Sequence, residues 1–328
     1  MWSLHEKECG EQACETEHWL VGPPMFPKST VFLARLDVRN APVHSLSSCM
    51  SNQLTPKPAT HMPRPKQLFS KDGTSIAFDR IGDGPPVILV DGALCYRALG
   101  SSRPLAKLLA QHFTVFTYDR RGRGDSGDTA PYAVEREVDD IEALVNEAGG
   151  AAFTWGISSG AVLALEAANR LTGIKKVAVY EAPFIVDDSH PATKDDWVRI
   201  NEAVAANRRN DAVKFFLKLV GLPAFFIALM RLMPVWSKLK AVAHTIPYDG
   251  AIVQDNQRGK PLPVDGWTSV TVPTLVMDGG KSPGWIRQAN RSLANVLPNA
   301  KHCTLEGQTH MVKAEALAPT LVDFFKGQ

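Results

Sequence analysis

The stretch that decides the fold runs from residue 151 to residue 168: Ala151-Ala152-Phe153-Thr154-Trp155-Gly156-Ile157-Ser158-Ser159-Gly160-Ala161-Val162-Leu163-Ala164-Leu165-Glu166-Ala167-Ala168. Its first five residues are the short apolar run of a buried strand, and its last eight read as a helix. Between them lies Gly156-Ile157-Ser158-Ser159-Gly160. A chain passing from strand to helix in so few residues turns sharply, and the central residue takes a strained conformation. Glycines on either side let neighbouring backbone approach without a Cβ clash. The Ser158 hydroxyl then projects from a helix N-terminus, where the backbone N–H of Ser159 can meet a developing negative charge. The five-residue pattern alone occurs by chance, and a Gly/Ser-rich turn that merely caps a helix looks the same. The strand before it and the helix after it make Ser158 the candidate nucleophile, with Ser159 contributing backbone only.

Outward from this turn, strand and helix patterns alternate. Segments 67–70 and 74–80 flank Lys71-Asp72-Gly73, an Asp-Gly hairpin signal. Pro86-Val87-Ile88-Leu89-Val90 is a continuous apolar run of the kind a buried parallel strand needs. Further strands are expected at 113–118, 152–156, 176–180, 274–277 and 301–305. Helices are expected at 104–111, 134–148, 159–171, 284–296 and 312–325. Such alternation predicts a mostly parallel sheet covered by helices on both faces. The interruption at 186–265 reads as helical, with segments at 197–207, 211–220 and 224–239, and is expected to form a lid over the strand C-termini. Ligands bind there in open α/β sheets. The expected division is a core of 63–185 and 266–328 with a helical cap at 186–265.

A serine nucleophile needs a base, and His310 follows the last strand within Gly307-Gln308-Thr309-His310-Met311. Strand 86–90 followed by Asp91-Gly92, the run Tyr118-Asp119-Arg120-Arg121-Gly122-Arg123-Gly124-Asp125-Ser126-Gly127, the turn around Ser158 and the late His310 together resemble the α/β-hydrolase superfamily over residues 67–328. The resemblance implies the α/β-hydrolase fold, an α/β architecture with an eight-stranded, mostly parallel sheet and a helical cap insertion. It also implies an oxyanion hole built from the backbone N–H groups of Ala93 and Ser159. The Arg-Gly-Asp at 123–125 is read as coincidence rather than an adhesion motif.

The chain departs from that family in two places. Members usually carry His-Gly where this chain has Asp91-Gly92-Ala93. Relatives also place the triad acid just before the Pro of the turn after the seventh strand, and Ser282 stands there in Asp278-Gly279-Gly280-Lys281-Ser282-Pro283. A serine cannot stabilise an imidazolium as a carboxylate does. Some branches take the acid from the end of the sixth strand, and Glu181 of Tyr180-Glu181-Ala182-Pro183 matches that position. Asp278 is the alternative acid. Cys95, Tyr96, Trp155 and Trp285 lie beside the motifs and are candidate pocket residues.

A formal net charge of +2 over 328 residues is too small to point to nucleic acid or a membrane surface. The most apolar run, 219–230, is shorter than the roughly 20 residues a membrane span needs. Five cysteines in no regular framework, with no recognisable secretory leader, imply a reducing, cytoplasmic setting. Residues 1–62 hold three of those cysteines, lack periodicity and are expected to be a disordered extension. Met62 directly precedes the first periodic sequence, so a translation start there is an expectation that intact-mass measurement would check. His5, Cys9, Cys14 and His18 resemble zinc spacing but lack a compact fold around them, so no metal site is assigned. No nicotinamide, phosphate or metal motif appears, so no cofactor is implied.

A serine rather than an aspartate nucleophile argues against epoxide hydrolase and dehalogenase chemistry. The expected function is cleavage of an ester-type acyl bond in a small, apolar substrate through Ser158, His310 and Glu181. The alternatives are a hydrolase-fold ligand-binding or receptor protein, and carbon–carbon hydrolysis or acyl transfer on the same triad. The oligomeric state is not legible.

Overall fold

The computed structural model describes residues 66–191 and 193–327; the extension read at 1–62 and its cysteine–histidine cluster lie outside the described residues. The eight strands are β1 (Lys66–Phe69), β2 (Ser75–Ile81), β3 (Pro86–Val90), β4 (Thr114–Tyr118), β5 (Ala152–Ile157), β6 (Ile174–Tyr180), β7 (Thr274–Gly279) and β8 (Ala300–Leu305). They form one sheet in the order β1-β2-β4-β3-β5-β6-β7-β8. The β1–β2 hairpin and the β2–β4 pair are antiparallel, and every pair from β4 to β8 is parallel.

Helices α1 (Ser102–Leu109), α2 (Val134–Glu147), α3 (Ser159–Arg170), α9 (Gly284–Val296) and α10 (Ala314–Lys326) cover the sheet, and five more helices fall between β6 and β7. Because side chains alternate along a strand, each strand feeds two cores. Ile88, Val90, Val177 and Val179 pack with residues of α2, α3 and α9, while Val87, Leu89, Ala178 and Tyr180 pack with α1 and α10. All eight of these side chains are buried. Burying each valine, leucine or isoleucine among them contributes about 1.5–3 kcal/mol.

The inserted helices are α4 (Lys194–Ala205), α5 (Arg209–Leu219), α6 (Ala224–Met230), α7 (Val235–Ala241) and α8 (Ile246–Val253). The single helix expected at 224–239 is therefore two. Pro234 disfavours helical geometry at Met233 and breaks the run there. Helix α8 lies within the stretch read as helical but outside the three segments singled out there, and it packs against α2, α3 and α4. Among the described residues no helix is long and apolar enough to cross a membrane.

Candidate active site

Ser158 sits between β5 and α3 with φ 57° and ψ −128°, a conformation that L residues rarely adopt. Its N–H donates to Tyr180 O (3.0 Å) and its carbonyl accepts from Ala161 N (2.9 Å), which anchors the turn on both sides. A Cβ on Gly156 would stand 2.2 Å from Gly160 O, and one on Gly160 would stand 2.3 Å from Val90 O. Neither site has room for any other residue. Gly92 brings the loop after β3 to the same point, its would-be Cβ 3.0 Å from Ser158 Cβ.

The structure brings His310 to Glu181. His310 Nδ1 lies 2.8 Å from Glu181 Oε2, and the second carboxylate oxygen accepts from Gly279 N at 2.8 Å. An ionised carboxylate only accepts, so in this geometry it is the Nδ1 side of the ring that would donate, leaving Nε2 on the far side. Glu181 follows β6 directly at φ 49°, fully buried, with its N–H donated to Met277 O at 2.9 Å. The loop bearing His310 is fixed from below: the Tyr180 hydroxyl donates to Thr309 O (2.7 Å) and Lys281 N donates to Gln308 O (2.8 Å). Among the described residues no hydrogen bond joins Ser158 Oγ to His310, a contact that often tightens only when substrate binds.

Asp278 points elsewhere. Its Oδ2 lies 2.7 Å from His302 Nε2, and its Oδ1 has no hydrogen-bond partner among the described residues. The Ser282 hydroxyl is buried and equally unpartnered. Neither is joined to His310.

Asp91 is buried beside the loop after β3, where Oδ1 accepts from the Ser101 hydroxyl (3.0 Å) and Ser102 N (3.2 Å). Burial raises its pKa above the ordinary carboxylate value, against the hydrogen bonds from Ser102 and Ser101. Asp91 therefore caps α1 rather than pairing with a cation. Burial, with Asp91 nearby, also pushes the Cys95 thiol up to about 12, which leaves it without thiolate at neutral pH.

A profile of the alpha/beta hydrolase family matches residues 82–315. The chain belongs to the alpha/beta hydrolase family. It is 52% identical to an alpha/beta hydrolase from Sphaerobacter thermophilus DSM 20745, with a TM-score of 0.73, covering 80% of this chain and all of that one. A thermophilic esterase from Thermogutta terrifontis shares the fold at 20% identity and a TM-score of 0.60, over 80% of this chain and 98% of that one. An uncharacterized hydrolase, YraK, of Bacillus subtilis (strain 168) is 28% identical over 151 residues. That match takes in 45% of this chain and about half, 55%, of the relative's length.

In this hydrolase the candidate pocket residues separate. Tyr96 and Cys95 are half-buried in the loop after β3, and Tyr96 bridges to Leu99. Trp285 opens α9 with its ring 4.4 Å from that of His190. Trp155 does not line a pocket. It is fully buried in the core formed with α1 and α10, because its position on β5 points to that face.

Sequence reasoning missed a buried charged cluster. Arg120 is held by Glu137 through two 2.7 Å bonds and donates to Asp249 Oδ1 at 2.8 Å. Arg123 donates to Asp249 Oδ2 at 2.7 Å, and the Ser159 hydroxyl donates to Asp249 Oδ1 at 2.7 Å. Burial would raise the Asp249 pKa, but Arg123 and Arg120 outweigh it and hold the carboxyl below the ordinary value. The arginines were visible in the sequence; their partner, far along the chain on α8, was not.

Proposed function

We propose that this hydrolase cleaves an ester-type acyl bond of a small molecule through a Ser158–His310–Glu181 triad and an acyl-enzyme. The observation that carries the reading is the 2.8 Å contact of His310 Nδ1 with the buried Glu181 carboxylate. It gives a serine on a strained strand-to-helix turn a base with the required tautomer.

Ser158 Oγ attacks the carbonyl carbon while His310 Nε2 takes its proton. The new C–O bond places negative charge on the carbonyl oxygen, which the N–H groups of Ala93 and Ser159 receive. Collapse of this intermediate breaks the bond to the leaving alcohol, which takes the proton from His310. Water then repeats the sequence, its proton passing to Nε2, and the acid leaves with Ser158 restored. Glu181 stays ionised throughout and stabilises the imidazolium. Among the described residues neither Ala93 N nor Ser159 N makes a hydrogen bond, so both remain free to donate.

The test is turnover of short p-nitrophenyl esters together with labelling by a fluorophosphonate. Wild type is expected to do both and Ser158→Ala neither. A wild-type protein that neither turns over nor is labelled defeats the proposal and favours a ligand-binding role.

A further inference from the structure

The loop after β3 is held in place by a side chain that the reaction itself does not use. Arg123 Nη1 donates to Gly92 O at 2.8 Å and to Cys95 O at 3.3 Å. These carbonyls bracket Ala93 and Leu94, and Leu94 has φ 60°, a left-handed conformation unusual for leucine. Arg123 is itself fixed on its other edges: Nη2 by Asp249 Oδ2 at 2.7 Å and Nε by the Thr245 hydroxyl at 3.0 Å. Thr245 and Asp249 both come from the insertion between β6 and β7, at and just before α8.

The Gly92 carbonyl and the Ala93 N–H belong to one planar trans peptide and point in opposite directions. Fixing the carbonyl therefore aims the N–H. A cationic donor on that carbonyl also polarises the peptide, which strengthens its N–H as a donor. The second donor has the same anchor. Asp249 Oδ1 accepts from the hydroxyl of Ser159, the residue whose N–H opens α3. Arg120 completes the frame, donating to the same Oδ1 (2.8 Å) and to Asp91 O (3.4 Å). Two arginines face two carboxylates, Glu137 and Asp249, and the cluster is buried and balanced in charge.

We propose that Arg123, held by Asp249 and Thr245 of the insertion, is a positioning residue that aims the Ala93 N–H into the oxyanion hole, and that Asp249 sets the Ser159 donor through its side chain. This inference rests on the hydrolase reading above. It makes the insertion part of the catalytic apparatus, because α8 supplies the carboxylate that both donors depend on.

Two variants test it. Arg123→Lys keeps the charge beside Asp249 but cannot hold the carboxylate and both carbonyls at once. Arg123→Met combined with Asp249→Asn removes the clamp without leaving an unpaired buried charge. Each is assayed for kcat and KM on a p-nitrophenyl ester, for inhibition by a boronic acid that forms a tetrahedral adduct on Ser158, and for native fraction by circular dichroism. Loss of one well-aimed oxyanion donor costs about 10²–10³ in kcat. The expected result is a drop of about 10²-fold in kcat with KM changed by about twofold or less, and the boronate inhibition constant rising in parallel.

Folded Arg123→Lys with kcat within about threefold of wild type overturns the proposal, as does a kcat loss that equals the loss of native fraction. If Arg123→Lys does not fold, the charge-balanced double variant decides by the same comparison. If neither folds, the pair serves the fold and the positioning role is rejected. An inactive, unlabelled wild type is a different outcome: it removes the hydrolase reading, and this inference with it.

Discussion

Glu181 and Asp278 are both buried carboxylates at the ends of neighbouring strands, and each is within hydrogen-bond reach of a histidine. What separates them is the histidine each one meets. Glu181→Gln is expected to lower kcat by about 10³–10⁴ with little change in fold, as loss of the acid's charge does in a serine triad. The amide can still accept from Gly279 N through its oxygen, but it turns an N–H toward His310 Nδ1. The ring must then protonate Nε2, the nitrogen that has to accept the serine proton. Asp278→Asn is expected to leave kcat within about threefold and to lower stability by about 1–3 kcal/mol through the His302 contact. The reverse pattern, with Asp278→Asn inactive and Glu181→Gln fully active, would falsify the assignment. Chain order left both acids open in the sequence, and only the family resemblance pointed to Glu181 at the end of the sixth strand. The pairing of Asp278 with His302 was not readable there, because cross-strand register between β7 and β8 is set by the sheet and not by local pattern.

The elements around Ser158 were legible where geometry leaves one residue type possible. The β5–α3 turn is such a place. An alanine at Gly160 would put its Cβ 2.3 Å from Val90 O and 2.6 Å from Asp91 O, both backbone atoms, at the end of β3 and in the loop after it. Gly160→Ala is expected to lower stability by about 3 kcal/mol or more, or to yield no native protein. Gly284→Ala, at the start of α9 where nothing lies within 4 Å, is expected to fall within about 0.5 kcal/mol of wild type. Equal urea midpoints for the two would show the turn to be looser than this packing requires. Legibility failed where an element takes its reason from distant partners. The eight-residue α8 has weak amphipathic pattern, and its Asp249 acquires meaning only beside Arg120 and Arg123. Trp155 shows the same limit, since a strand buried on both faces gives no sequence sign of which face meets a core and which a cleft.

Across the whole molecule the sheet and most of the insertion share one core. Trp197 and Ile200 of α4, Val213 and Phe216 of α5, and Ile252 of α8 belong to the same buried cluster as Ile88, Val90 and Val179 of the sheet. The Arg120–Asp249–Arg123 pairs tie α8 further to the centre. Helix α6 differs. Ile227 is its one buried residue, while Phe225 is 73% and the following Leu232 85% exposed. Regions with few buried contacts open at lower free energy than the core does. Native-state hydrogen exchange over a series of sub-denaturing urea concentrations should separate the two cases. Amides of α4, α5 and α8 are expected to exchange through the same opening as those of α3 and β5, with a common free energy and urea slope. Those of α6 should exchange through a smaller opening, at least about 2 kcal/mol lower, with little urea dependence, because little apolar surface is exposed by it. If α4, α5 and α8 opened together well below the sheet, the insertion would be an independent unit. Asp249 would then release Arg123 from the loop after β3 in each such opening, in a fraction of molecules set by that lower free energy.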